Sequence, residues 1–332
     1  MHRFNWRRTA QYDFLFWLLS MTITSSMILP PAQACCSLRR AAFSSGDSTG
    51  SGTKGLAAET VKDGKLVHLL GYQNSPVNLD KSGPNAMLLP IPAKAGTMSQ
   101  ANVLDTKSCK HFLEDIEQAV VPPEEADHLK GGYSFDASQS RVIVFEHDIY
   151  TIVLAQNAQD IPKALKLVPA DKRPAPNAAI FKDYDKWYKG WTFALCCFNN
   201  KDQAKANPML WWYEPRQPDQ LFFPALDAHD GLPPRLHGQV EVDHTVAFSS
   251  NHMKADSSAG SSVRPVKYRD GNIDKRVKAL LPQLVVGQKF DDELPQGDFV
   301  CATSEVRKGI CRPRRELPPG AMETQKKPAQ PE

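Results

Sequence analysis

Short apolar runs broken by turn residues dominate the hydrophobic pattern of this chain. Leu66-Val67-His68-Leu69-Leu70 and Met87-Leu88-Leu89 predict strands, parted by Asn74, Pro76, Asp80, Gly83 and Pro84. Arg141–Phe145 and Ile149–Leu154 predict a strand pair around Glu146-His147-Asp148. Further strands are expected at Trp191–Phe198, Met209–Tyr213, Leu221–Phe223, Val240–Phe248, Gln283–Val286 and Phe299–Thr303. A helical period appears in fewer places. Phe112, Leu113, Ile116, Ala119 and Val120 form one stripe, with Ser108 as the expected N-cap and Pro122-Pro123 as the stop. A second helix is expected from Asp160, with Pro162 tolerated in its first turn. The clearest runs from an Asn177 cap, burying Ile180, Phe181, Tyr184, Trp187 and Tyr188 and ending at Gly190. A basic helix over Ile273–Leu281 turns Ile273, Val277, Leu280 and Leu281 inward. Strands do not alternate regularly with helices, so the pattern predicts α+β, mostly antiparallel sheet with a few packed helices.

The longest apolar run, Phe14–Leu29, follows Arg3, Arg7 and Arg8 and leads into Ala32-Gln33-Ala34. This is the pattern of an export signal with a small-residue cleavage site, so residues 1–34 are expected to be a removed leader. The run carries Ser20, Thr22, Thr24, Ser25 and Ser26, and Pro30-Pro31 ends it, which disfavours a membrane anchor. Residues 35–61 are rich in Ser, Gly and Ala and read as a flexible tether. Its Gly50-x-Gly52-x-x-Gly55 matches a dinucleotide fingerprint in letters only, because no βαβ pattern surrounds it. Residues 62–306 are the α+β globular region, as one domain or as two halves meeting near 169–176. Residues 307–332 read as a disordered basic Pro-rich tail.

The whole chain carries a formal charge of +3. Removing the leader, with its three arginines and Asp13, leaves the remainder close to neutral. No basic stripe is left outside the tail, so nucleic acid is not an expected partner. Seven cysteines are present. Beyond the cytoplasm Cys36, Cys109, Cys196, Cys197, Cys301 and Cys311 are first of all disulfide candidates. Cys35, directly after the cleavage site, is a candidate lipid anchor, and lipidation there would leave an even set. On a strand, Cys196 and Cys197 point to opposite faces and cannot pair with each other. Cys301 and Cys311 flank a short span suited to a closed loop.

Candidate chemistry is sparse. Asp227-x-His229-Asp230-Gly231, followed by His237, Asp243 and His244, offers imidazole and carboxylate ligands for a divalent transition metal. His229, Asp230 and one of His237 or His244 are the conceivable set; a solvated turn is the plainer reading. Glu146-His147-Asp148 reads as a hairpin connection. Cys109 with His111 could form a nucleophile pair at a helix start, although disulfide use fits the compartment better. Trp211-Trp212-Tyr213, with Trp187, Tyr188 and Trp191, could supply stacking platforms for a glycan or peptide. Trp212 faces away from the other two on a strand.

Ala34-Cys35-Cys36 after the signal, Tyr72-Gln73 and Leu88-Leu89-Pro90-Ile91-Pro92 together resemble a family of exported bacterial domains of uncharacterised function. The resemblance covers the first half of the mature chain. It implies an extracytoplasmic location and nothing about catalysis. The sequence thus predicts an exported, disulfide-stabilised binding or structural module of the envelope, with a metal-dependent enzyme built on His229 and Asp230 as the alternative.

Overall fold

The computed structural model describes residues 52–74, 82–121, 142–175, 177–228, 231–255 and 262–325, all within one compact unit. The leader, Cys35, Cys36, His229 and Asp230 lie outside the described residues. In chain order the elements begin with β1 (Thr53–Lys62), β2 (Lys65–Asn74), β3 (Pro84–Ile91), β4 (Val103–Leu104) and α1 (Phe112–Val120). Next come β5 (Val142–His147), β6 (Tyr150–Ala155), α2 (Ile161–Ala164), α3 (Ala178–Trp187) and β7 (Thr192–Asn199). Then follow β8 (Met209–Tyr213), β9 (Gln220–Phe223), β10 (Gln239–Ser250), β11 (Arg264–Pro265) and α4 (Lys275–Lys278). The last are β12 (Leu284–Pro295), β13 (Asp298–Ala302), α5 (Thr303–Val306), β14 (Arg314–Glu316) and α6 (Pro319–Gln325).

The strands form three sheets. The largest has the order β11-β12-β10-β1-β2-β8-β4, the second β3-β7-β6-β5, the third β14-β13-β9. Pairing is antiparallel throughout the described residues except between β1 and β10. The fold is therefore mixed α+β, with sheet predominating over helix.

Side-chain alternation explains how the sheets stack. On β7, Ala194, Cys196 and Phe198 enter the core facing the large sheet, while Phe193, Leu195 and Cys197 enter the core facing α2 and α3. On β2, Leu70 and Tyr72 face the first core and Leu69 faces α1 on the far side. Two sheets thus pack on each other, each covered outside by helices. Strands buried on both faces need apolar residues at every position, which is why these segments read as runs rather than alternations.

Three sequence expectations need correction. The segment read as a tether is, from Thr53 onward, the central strand β1 of the largest sheet, with Leu56 and Ala57 fully buried. Its residues are small because neighbours press on them: a Cβ at Gly55 would sit 2.3 Å from the Phe223 ring, which itself stacks on Tyr72. The supposed disordered tail is ordered over 307–325. β14 adds to β13, and Ala321 of α6 is buried against the α3 layer. Lastly, α1 starts at Phe112, after a 3-10 turn at Lys107–Cys109, and Ser108 does not cap it. The Ser108 hydroxyl instead accepts from the Asp274 backbone N–H, 2.9 Å away, tying α4 to this turn.

Where local signals were strong the elements stand as expected. Asn177 caps α3 by accepting from the Ala179 N–H, and the helix buries Ile180, Phe181, Tyr184 and Trp187. The basic segment over 273–281 contracts to the single turn α4, capped by Asp274, with Val277, Leu280 and Leu281 buried.

Candidate functional site

Two places gather chemistry-bearing side chains. The first is a row across four neighbouring strands of the large sheet. Register sets Ser250 of β10 opposite Glu59 of β1, Glu59 opposite His68 of β2, and His68 opposite Tyr213 of β8. All four are buried, on the face shared with the second sheet. The Ser250 hydroxyl donates to Glu59 Oε1 over 2.6 Å. Arg307, one residue beyond α5, donates to both Glu59 oxygens at 2.6 and 2.7 Å. Burial alone would raise the Glu59 carboxyl, but hydrogen bonds from Arg307 and Ser250 outweigh it and hold the group below its usual range. Burial pushes the His68 imidazole down to about 4, partly countered by Glu59. Ser250 is bonded to the carboxylate and not to the imidazole, so the row lacks the order of a nucleophilic triad. It is a buried carboxylate held by a guanidinium that reaches the surface, and its role is structural.

The second place is open. A groove of about 900 Å³ lies on the other face of the same sheet, where β8 meets β4 and α4. Val61, Val103, Leu104, Val277 and Leu280 give it apolar walls, and half-buried Trp212 contributes its ring. The Trp212 indole N–H donates to the Ala101 carbonyl at 2.9 Å, which fixes the ring plane. Lys62 Nζ stands 4.6 Å from the ring centroid. Six of the rim charges come in pairs, Lys62 with Asp63 at 2.5 Å, Lys107 with Asp105 at 3.6 Å and Arg276 with Asp274 at 3.5 Å, and Lys275 adds one further cation. The groove therefore joins a fixed aromatic face to donors and acceptors with little net charge.

The other aromatic candidates are packing residues. Trp211 and Tyr213 are buried on the inner face, and Trp187 and Trp191 pack with Tyr188 and Phe222. As strand geometry requires, Trp212 alone of the three consecutive aromatics faces the groove.

The histidines proposed as metal ligands are dispersed. His237 is exposed in the turn before β10, while His244 is buried inside that strand beside Phe299. Asp243, between Lys289 and Gly52, is half-buried, and burial raises its carboxyl. Among the described residues no three His, Cys, Asp or Glu side chains lie close enough to hold a metal ion.

Of Glu146-His147-Asp148 the first two end β5 and only Asp148 enters the turn, at φ 52°, its carboxylate accepting from the Asn207 N–H and side-chain amide. Cys109 is buried in the α1 core. Burial and the nearby Asp270 push its thiol up to about 12, which is incompatible with a thiolate nucleophile. His111 Nδ1 lies 2.9 Å from Asp270 Oδ1.

No protein family matches the chain, and no curated protein matches it. Among solved structures it is similar to baculovirus P35, at 12% identity over 77% of this chain and 89% of that one, with a TM-score of 0.36. A mutated baculovirus P35 after caspase cleavage gives 11% identity over 77% and 98%, with a TM-score of 0.37. Likeness at this level carries no argument about this chain.

Proposed function

We propose that the chain is an exported, non-enzymatic binding module of the cell envelope whose Trp212 groove holds a glycan. The leader pattern over residues 1–34 motivates the compartment. One observation carries the choice of ligand: the Trp212 ring is held in place by its own N–H bond, beside paired acids and amines. A sugar ring has an apolar C–H face and a rim of hydroxyls. The first suits an aromatic plane and the second suits carboxylates, which accept from hydroxyls, and ammonium groups, which donate to them. With four cations against three carboxylates the rim carries little net charge and suits a neutral glycan better than a strongly anionic one. Lys62 lies over the ring where the sugar would stack, so binding requires it to swing aside.

The test is titration of the purified mature chain with neutral β-linked hexose and N-acetylhexosamine oligomers, read by calorimetry and tryptophan fluorescence. Trp212→Ala is expected to weaken binding at least tenfold while leaving the unfolding transition within a few degrees, since the ring is only half-buried. No saccharide binding by the wild type, undiminished binding by Trp212→Ala, or selective binding of an apolar peptide at Trp212 would each overturn the glycan assignment.

A further inference from the structure

Cys301 and Cys311 sit at the two ends of one chain reversal. Cys301 is fully buried near the end of β13, and half-buried Cys311 packs against the same core. Between them α5 turns the chain, followed by bonds from the Gly309 N–H to the Val306 carbonyl and from the Ile310 N–H to the Glu305 carbonyl. Gly309 takes φ 72°, which completes the turn. Farther on, β13 and β14 pair antiparallel with Val300 opposite Arg314. Just past that register the Cys301 sulfur accepts from the Arg312 backbone N–H, which sets it beside the residue that follows Cys311. The two sulfurs are near enough that a charge on Cys301 would raise the Cys311 thiol. The remaining described cysteines are placed differently: Cys109 is in the α1 core, Cys197 in the α3 core, and Cys196 contacts the Met209 sulfur at 3.8 Å.

We propose that Cys301 and Cys311 are a cross-linking pair that is oxidised to a disulfide as the chain folds. The two thiols give up two protons and two electrons to a disulfide donor of the glutathione class, which leaves as two thiols. The bond would close the loop that delivers Arg307 to Glu59, stapling the one charged group holding that buried carboxylate. Oxidation belongs to folding because burial raises both thiols in the finished structure, Cys311 to about 12. The cellular occurrence of the bond rests on the export reading; the pairing itself does not.

The experiment is refolding of the denatured, reduced full chain in a glutathione redox buffer, with excess reductant as control. The products are alkylated and digested with trypsin without reduction. Arg307 and Lys308 lie inside the loop, so the bridge joins peptide 290–307 to peptide 309–314. The expected result is this linked pair in oxidised material alone, and a thermal midpoint lowered by roughly 5 °C in the control and in Cys311→Ser alike. Recovery of Cys301 or Cys311 as an alkylated free thiol after oxidative refolding, or linked to any other cysteine, would overturn the proposal. Retention of the leader in cells would overturn the export reading and leave the pairing result standing.

Discussion

Two buried groups with opposite acid–base behaviour set a specific expectation for stability against pH. His68 has its folded pKa depressed to about 4 from a reference of 6.5, chiefly by burial. The unfolded chain therefore binds the proton more readily, and stability present above pH 6.5 is lost as the pH falls toward 4. Asp298 runs the other way. Burial raises it to about 6 from 3.8, against hydrogen bonds from the Tyr188 hydroxyl and the Ala225 N–H. Its folded form takes up the proton first, so stability is gained as the pH falls from 6 toward 3.8.

Between pH 7 and pH 4.5 the His68 shift costs about 2 kcal/mol and the Asp298 shift returns about the same. These two contributions nearly cancel in the wild type, so the single variants must separate them. His68→Leu should gain about 2 kcal/mol relative to wild type on acidification, and Asp298→Asn should lose about the same. Urea unfolding of each protein at both pH values measures this. Any general damage from a substitution appears at both pH values and drops out of the difference. Variant and wild-type profiles that run parallel within about 0.5 kcal/mol would refute the reasoning.

Packing yields two further expectations. Gly55→Ala places a Cβ 2.3 Å from Phe223, whose ring is fully buried and stacked on Tyr72, so a loss of about 1–3 kcal/mol is expected by thermal or urea unfolding. Unchanged stability would mean the ring is not seated over β1. Gly320→Ala places a Cβ 2.2 Å from the Lys186 carbonyl, where α6 crosses the end of α3. It should lift α6 and speed thermolysin cleavage of the Ala321–Met322 bond inside α6, with little change in global stability; unaltered cleavage would contradict the docking of α6.

The legible parts of the sequence were those whose signal is local. α3 announced itself because an Asn cap, a 3.6-residue stripe and a terminal glycine fall within fourteen positions, 177–190. β8 came out residue for residue because Met209–Tyr213 is a short run of β-forming residues between turns. β1 was missed because its residues are small, and smallness signals a loop until the overlying aromatics are known. The tail was missed for a related reason: Arg314–Glu316 is a strand only because β13 offers it an edge. The Trp212 groove was half visible. Alternation predicted that Trp212 faces away from its neighbours, but its walls come from residues 61–63, 101–108 and 274–280, which no local pattern connects.

The same distances in sequence explain why the polar row escaped notice. Glu59, His68, Tyr213, Ser250 and Arg307 meet only because β10, β1, β2 and β8 are adjacent in the sheet. Once they meet, their environment decides their use. Removing Arg307 would leave the Glu59 carboxylate without its guanidinium partner, at a cost on the order of 1–3 kcal/mol because Arg307 itself is partly solvated, so this network constrains the chain against change. The opposite face of the sheet differs in the one respect that matters for recognition. There a short edge strand leaves Trp212 half-covered, and paired charges stand around it within reach of solvent. One sheet therefore places the Glu59–Arg307 pair on its inner face, where it holds Arg307 against β1. It presents its nearly balanced rim charges on the open side, where a neutral partner can be bound without first displacing that pair.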